Sequence, residues 1–389
     1  MLDAVVIGCG GVGSFALRAA SQRVTAVLGV EQYAHTHNRG SSHGGSRIYR
    51  KAYFEHSNYV PWIQYSERVF KELGGADNDL LDNCGTLIME ERNGPVIRSC
   101  LKSARDHGID VEVLPNETLR ERYPQFKLYS NDTMGLLEPG GGFVRPERAM
   151  RAALEEAKRN GATIWENTTV KALNECDSHV ELVLDRQGDE ELVQSKSVIV
   201  TAGAWTSTLI PSWKPHLKVT RQLQGWISVS STPNPSLYQP VNMPTWYMST
   251  PASSLPLYGI PADPKSDNPH WMKLGLHLRP EILLDPRQNP STLTGEELVE
   301  LDHASSTALH STLTFASVVP CLYTMTPDHH FLLGRASQRI ICAAGVSGHG
   351  FKMTPALGQM LVDMVFLGNE AEQKWKVDFC SPGRFLVKG

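Results

Sequence analysis

The sequence predicts an α/β protein in which a Rossmann-like nucleotide-binding domain is interleaved with a second, antiparallel-sheet domain. Three observations carry this. The chain opens as apolar strand, glycine turn and helix. The same alternation returns near residues 145–210 and at the C-terminal end. Between them, from Gln222 to Thr314, helical periodicity fades and short strand-like runs are broken by prolines. A length of 389 residues also exceeds what one core usually organises.

The opening stretch "AVVIGCGGVGSFALRAA" places Gly8, Gly10 and Gly13 at the G-x-G-x-x-G spacing. Gly8 permits the turn, Gly10 admits a pyrophosphate to the backbone, and Gly13 lets helix and strand pack closely. The helix N-terminus offers free N–H groups to the phosphates. A second strand, "VTAVLGVEQ", ends in Glu31, where an acid holds a ribose hydroxyl. The glycine motif alone is weak. With a strand before it, a helix after it and the acid in place, it is a specific dinucleotide signal, although it does not separate FAD from NAD.

The loop "HTHNRGSSHGGSRIYRKAY" follows, longer and richer in glycine and serine than a simple nicotinamide-binding unit needs. His35 and His37 could form half of a metal site, but no neighbour in sequence completes it. Periodicity then predicts a helix in "NYVPWIQYSERVFKEL", a strand in "GTLIMEE", a helix ending at Gly108 and a strand in "DVEVL". Asn116 is read as the N-cap of a short helix stopped before Pro124. A Gly-rich turn, Pro146, a helix over about 147–160 and a strand through Trp165 come next. "VELVLD" reads as a strand, and "SVIVTAGAWT" as a buried strand ending in small residues. "RIICAAGVSGHGFKMTPALGQMLVDMVF" closes the chain as strand, glycine turn and helix. The resulting division assigns 1–80, 145–215 and 318–389 to the nucleotide domain and 81–144 and 216–317 to the substrate domain.

Composition excludes several classes. A net charge of −4 without a basic cluster argues against nucleic acid. No apolar run approaches the roughly 20 residues of a membrane helix. The seven cysteines are scattered and none forms C-x-x-C, so neither a zinc knuckle nor a disulfide framework is indicated. An apolar strand stands where a secretory signal would, and the terminal "VKG" is not a peroxisomal signal, so the expectation is a cytoplasmic protein. The cluster "PCLYTMTPDHHF" remains open on its residues alone, as a metal site, a redox thiol or a buried strand and turn.

Taken together, the stretches "GCGGVG", "RGSSHGGSRIYRKAY", "EPGGGFVRPERA", "VTAGAW", "LYGIP", "KLGLH", "CLYTMTPDHHF" and "GVSGHGFK" resemble, in order and over nearly the whole chain, the monomeric sarcosine oxidase family. That family includes N-methyltryptophan oxidase and L-pipecolate oxidase. The resemblance implies an FAD-binding domain of glutathione-reductase type with a catalytic domain whose sheet covers the flavin. It implies oxidation of a secondary amino acid by hydride transfer to FAD, hydrolysis of the imine, and transfer of the electrons to O2 as hydrogen peroxide. A small-molecule secondary amine and O2 would be the partners, and the protein a monomer.

Residue by residue, Cys321 matches the cysteine whose sulfur is bonded to the flavin 8-methyl carbon. Read alone it would be a small buried hydrophobe. Asp328, His329 and His330 then read as turn residues rather than ligands. Arg50 and Lys352 match the clamp on the substrate carboxylate, which suits a guanidinium fork and a point charge. Lys273 matches the lysine that activates oxygen, and His277, four residues on, shares its strand face. Tyr258 and Tyr323 match aromatic pocket residues. His43 and Arg47 match residues packed near the flavin ring, with Ser46 between them. Ser42 and Val170 are expected as further cofactor contacts, and Gly345, Gly348 and Gly350 would let backbone N–H groups meet the flavin pyrimidine edge. Phe54 and the run Trp246, Tyr247 and Met248 depart from the sarcosine-specific pattern and are expected to shape the pocket. The open alternatives are a flavin amine dehydrogenase with another electron acceptor, and an oxidase of larger secondary-metabolite amines.

Overall fold

The computed structural model describes residues 1–283, 285–289, 291–310 and 313–385. The terminal "VKG" lies outside them.

The buried strand Ala4–Ile7 pairs in parallel with Val27–Val30 on one side and Val198–Val200 on the other. Thr163–Trp165 and Ile340–Ala344 extend this sheet in parallel, and Leu332–Arg335 closes one edge antiparallel. Apolar residues on both faces account for the continuous hydrophobic runs of these strands. The helices Gly11–Ser21, Pro146–Arg159 and Thr354–Leu367 pack together against it. The three segments predicted as α/β in sequence thus meet in one sheet. Each of the strands Ala4–Ile7, Val27–Val30 and Val198–Val200 delivers its C-terminal end to the same edge, where ligands of open parallel sheets bind.

A large mixed sheet supplies the second layer. Its spine is the antiparallel pair Lys218–Ser228 and Phe315–Met325, which runs the length of both strands. Trp271–Leu276, Leu257–Ile260, Thr245–Met248, Thr86–Glu91 and Thr133–Glu138 continue it. Phe315–Met325 therefore pairs as part of this sheet, although residues from 318 onward were assigned by sequence to the nucleotide segment.

Two local readings are corrected. The helix Asn116–Arg122 is entered through Pro115, and Asn116 does not cap it. The Asn116 side chain instead donates to Ser130 O at 2.9 Å and accepts from Arg120 Nε at 2.7 Å, tying the turn to its neighbours. Within the stretch where the helical signal fades and short strands were expected lies the helix Gly295–Ala308. Thr294 caps it by accepting from the Glu297 amide at 3.2 Å, and Glu297 returns a bond to the Thr294 amide at 3.0 Å. This reciprocal box was written in the sequence as Thr-x-x-Glu.

Candidate active site

The first turn of the nucleotide loop is fixed by close packing. Gly8 has φ +86°, and a Cβ there would lie 2.7 Å from Thr201 O. A Cβ on Gly13 would strike Gly8 O. Gly10 differs. A Cβ at that position would meet nothing nearer than Ser42 Oγ at 3.7 Å, so the space above it is open for a ligand. Gly10, the N-cap residue of the helix Gly11–Ser21, has no side chain to cap it. Ser42 Oγ accepts from the Gly11 amide at 3.0 Å. Glu31 is buried and accepts from the amides of Cys9 at 2.8 Å and Tyr33 at 3.1 Å, which holds its carboxylate at the strand end. Val170 packs in the apolar cluster with Val5, Ile7, Leu28 and Val30.

His37 Nε2 stands 3.5 Å from Glu31, and His35 Nδ1 faces Glu166. Each of these histidines thus has a carboxylate beside it, Glu166 from a distant part of the chain and Glu31 from the end of the strand just before. Each histidine has a different one, so they do not converge on an ion.

Beyond the loop, against the large mixed sheet, lies a cavity of about 100 Å³. It collects Arg50, Lys352, Lys273, His277, Tyr258, Tyr323 and Cys321, all predicted from sequence, with Ser46, Arg47 and Gly348 at its wall. Gly345 and Gly350 sit in the same turn as Gly348. Gly348 has φ +80°, and a Cβ there would lie 2.2 Å from the Tyr323 ring, so glycine both permits the turn and makes room for the tyrosine.

Lys273 projects from the strand Trp271–Leu276, and Nζ donates to Gly44 O, to Ser46 O at 2.8 Å and to Gln224 Oε1 at 3.1 Å. The Trp226 ring lies 5.1 Å beneath it. Burial, reinforced by Arg47, pulls its pKa well below the ordinary lysine value. Arg47 shares the Gln224 oxygen at 3.1 Å and donates to the carbonyls of Ser41 and His43 at 2.8 and 2.6 Å. His43 is held neutral, at about 3, by burial and then by Arg47 and Lys273. Its Nε2 is buried without a hydrogen-bond partner among the described residues. The Cys321 thiol is buried in the same region, and burial raises its pKa against the opposing pull of Arg47 and Lys273.

Across the cavity, Arg50 Nη2 donates to both Glu55 oxygens at 2.9 and 3.1 Å and Nη1 to Ala52 O at 2.9 Å, while the rings of Tyr53 and Phe54 lie 4.3 and 4.2 Å from its guanidinium carbon. Burial would raise the Glu55 pKa. Arg50, His349 and Lys352 outweigh it and hold the acid at about 2. Lys352 donates to His349 O at 2.8 Å and to Tyr53 Oη at 3.3 Å, both neutral acceptors. Burial and then Arg50 bring its pKa down to about 7, with Glu55 opposing. Tyr53 Oη sits 2.7 Å from His349 Nδ1, and His349 Nε2 is 3.0 Å from His329 O. A carbonyl can only accept, so Nε2 carries the proton and Tyr53 donates to Nδ1. His349 is lowered to about 4 and His277 to about 3, both chiefly by burial.

Glu55, Tyr53, His349, Gln224 and Glu147 join the site without having been assigned to it by sequence. Glu147 accepts from the Gly45 amide at 3.1 Å through either oxygen and so fastens the loop that Lys273 also grips. Arg145, two residues earlier, forks onto the buried Asp263 at 2.6 and 2.7 Å and ties two sheets together. Both lie in the "RPERA" stretch, the one signal that could have found them. Of the residues expected to shape the pocket, Phe54 and Tyr247 line the cavity. Strand alternation turns Trp246 and Met248 the other way, into the apolar core.

The whole chain can now be set beside known proteins. A family model described as FAD dependent oxidoreductase matches residues 3–364. The chain belongs to this family. It is 30% identical to the monomeric sarcosine oxidase of Streptomyces avermitilis over 374 residues, which covers 95% of this chain and 94% of the relative. It is 28% identical to the N-methyl-L-tryptophan oxidase of Yersinia pestis over 365 residues, covering 92% and 93%. In fold it is similar to L-proline dehydrogenase from P. horikoshii, with TM-score 0.79, 19% identity and coverage of 99% and 97%. NikD, an amino acid oxidase essential for nikkomycin biosynthesis, superposes with TM-score 0.78 at 19% identity over 94% and 93% of the chains. Among the described residues no helix is long and apolar enough to cross a membrane.

The residues present fit FAD. The open space at Gly10, the helix entered through a glycine without a capping side chain, the buried Glu31 carboxylate and the unpartnered His43 Nε2 are what a dinucleotide with a polar ring system would complete.

Proposed function

We propose that the protein oxidises a secondary amino acid at the carbon next to nitrogen, using FAD joined through Cys321, and passes the electrons to O2 as hydrogen peroxide. One observation carries this reading. A single cavity gathers two buried cations suited to a carboxylate, a third cation on a separate wall, and a buried thiol. Bound FAD supplies the hydride acceptor and the route to oxygen.

Gly8, Gly10, Gly13, Glu31 and Ser42 would hold the dinucleotide, with His43, Ser46, Arg47 and residues 345–350 around the ring system. The Cys321 thiol is positioned by the continuous pairing of Phe315–Met325 with Lys218–Ser228, where it stands opposite Gln222. Arg50 and Lys352 receive the substrate carboxylate. Glu55 already holds Arg50 Nη2, so the incoming acid shares or replaces it, while Lys352 offers a cation with only neutral partners. His277 is held neutral by burial and does not repel a cationic amine. The amine reacts with its lone pair free, so the proton must leave nitrogen before the hydride does. Phe54 and Tyr247, with ring centroids 5.5 Å apart, offer an aromatic wall to the rest of the substrate. Lys273 lines both the main cavity and a second one shared with Trp226 and Trp271. With all three of its donors engaged by Gly44 O, Ser46 O and Gln224 Oε1 its amine is held as the ammonium, whose charge would stabilise negative charge developing on oxygen. The name of the Streptomyces avermitilis relative, monomeric sarcosine oxidase, supports a protein that works as a monomer.

The test is a visible spectrum before and after acid precipitation, followed by secondary amino acids in an oxygen electrode. Flavin colour retained in the pellet, lost in Cys321→Ser, and oxygen consumption matched by peroxide are the expected results. Colour released to the supernatant removes the covalent link. Substrate-dependent flavin bleaching without oxygen uptake would favour the dehydrogenase alternative.

A further inference from the structure

The hairpin Thr168–Glu175 and Val180–Arg186 lies away from the cavity and carries side chains that the proposed oxidation does not use. Its turn is tight. The Cys176 amide donates to His179 O at 2.8 Å, so Asp177 and Ser178 form the tip. In register, Asn174 stands opposite Glu181, and Glu181 opposite Gln194 on the third strand. Side chains two apart share a face, so Cys176, His179 and Glu181 project together on one side of the hairpin. The other side carries Val180, Leu182 and Leu184 into the core. One ligand atom from each of the three lies within 4.8 Å of the others, and each residue is partly exposed, within reach of ions in solution.

From this geometry we infer that Cys176, His179 and Glu181 form a binding site for a zinc-class divalent cation. The donor set is right: a thiolate, an imidazole and a carboxylate are zinc ligands. Cys-x-x-His across a two-residue turn is the spacing of half a zinc site. Zinc takes sulfur at about 2.3 Å and nitrogen or oxygen at about 2.0–2.2 Å, so tetrahedral donors sit about 3.3–3.7 Å apart. His179 Nε2 and Glu181 Oε1 are already 3.5 Å apart. The outer shell is also built. Ser178 Oγ lies 3.0 Å from His179 Nδ1, where it can accept that N–H and leave the Nε2 lone pair facing the carboxylate. Gln194 Nε2 donates to Glu181 Oε1 at 3.1 Å and orients it. With three protein donors, the fourth position falls to water. Binding replaces the Cys176 S–H proton by the metal and releases that proton to solvent.

The site ties two strands across their turn. At the opposite end of the same strand, the Thr168 amide donates to Glu31 O at 2.9 Å. The ion therefore braces the hairpin rather than taking part in oxidation, and the inference stands whether or not the proposed substrate class is right.

The test uses the flavin-containing protein after chelation. Zn2+ is titrated calorimetrically in two buffers of different ionisation enthalpy, and Co2+ is followed by its thiolate charge-transfer absorption. Alkylation of Cys176 is read by peptide mass spectrometry, with the partly exposed Cys84 as control. The expected results are one equivalent bound with proton release, a sulfur-to-cobalt band, and protection of Cys176 but not Cys84. Cys176→Ser should weaken binding at least about tenfold, and Gln194→Ala about 10- to 100-fold, as loss of an outer-shell partner does. No saturable binding, a cobalt spectrum without sulfur ligation, or unchanged affinity in Cys176→Ser would overturn the assignment.

Discussion

Lys352 sets a pH dependence that can be worked out before any substrate is known. Its pKa in the free protein is about 7, lowered by burial and by Arg50. The protonated form attracts a carboxylate, and the neutral form does not. Affinity for a simple carboxylic acid lacking an amine should therefore be level below pH 7 and fall as Lys352 loses its proton. Between pH 7 and pH 9 the loss approaches about fiftyfold, or about 2.3 kcal/mol, if the neutral form makes no productive contact. Three other groups facing the cation complete their titration far below this window, with Glu55 at about 2, His277 at about 3 and His349 at about 4. Tyr53 is pushed well above its ordinary value by burial and stays neutral. Arg50 keeps its charge and sets the residual affinity at high pH. Lys273 is lowered too, so the assignment needs the Lys352→Met variant, which should bind weakly at pH 7 and show no slope. The assay is perturbation of the flavin spectrum by the acid across pH 6–9. Affinity that is flat in the parent protein, or a slope that survives in Lys352→Met, would refute the reasoning.

Three further outcomes follow from contacts already described. Tyr53→Phe removes the oxygen that accepts from Lys352 at 3.3 Å, which favours the neutral amine, so the fall in carboxylate affinity should move to lower pH in the same titration. Gly348→Ala places a Cβ against the Tyr323 ring at φ +80°. It should cost about 1–3 kcal/mol in thermal or denaturant unfolding, with weaker flavin retention. Lys273→Met should slow reoxidation of the reduced flavin by about 10²–10³, while anaerobic reduction by substrate changes little, both read by stopped flow.

The parts of this protein that could be read in its sequence are those with local causes. The glycine turn, Glu31 and the flanking strands announce themselves because phosphate binding demands them within about 20–30 residues. The helix ending at Gly108 was legible because its end is a left-handed glycine, φ +62°. The helix Gly295–Ala308 was passed over, although its Thr294 and Glu297 box is as local as any of these. Its apolar pattern is weak, with Leu298 and Val299 exposed and Glu297 buried against Arg221. Asn116 shows the opposite error, where a residue with good capping chemistry is drawn into longer-range bonds.

At the site, the residues named from sequence were those carried by recognisable stretches, and they do converge. The rest arrive through tertiary packing. Glu55 has meaning only because Arg50 turns onto it, and His349 only because Tyr53, 296 positions away, reaches its ring. Gln224 bridges Arg47 and Lys273 from a strand whose pattern shows only burial. The carboxylate beside His35 was likewise invisible, since Glu166 lies 131 positions away, whereas the one beside His37 is Glu31, six residues upstream.

In the proposed reaction, Arg50 and Lys352 present a secondary amino acid to a flavin held at Cys321. Anaerobic mixing of the purified protein with N-methyl and cyclic secondary amino acids, followed at the flavin absorbance, tests it most directly. The account predicts bleaching by at least one secondary amino acid, return of colour with peroxide when oxygen is admitted, and no bleaching by the corresponding amine lacking a carboxylate. Flavin that stays oxidised with every acid tested, or that is reduced equally by amines without the carboxylate, would contradict it.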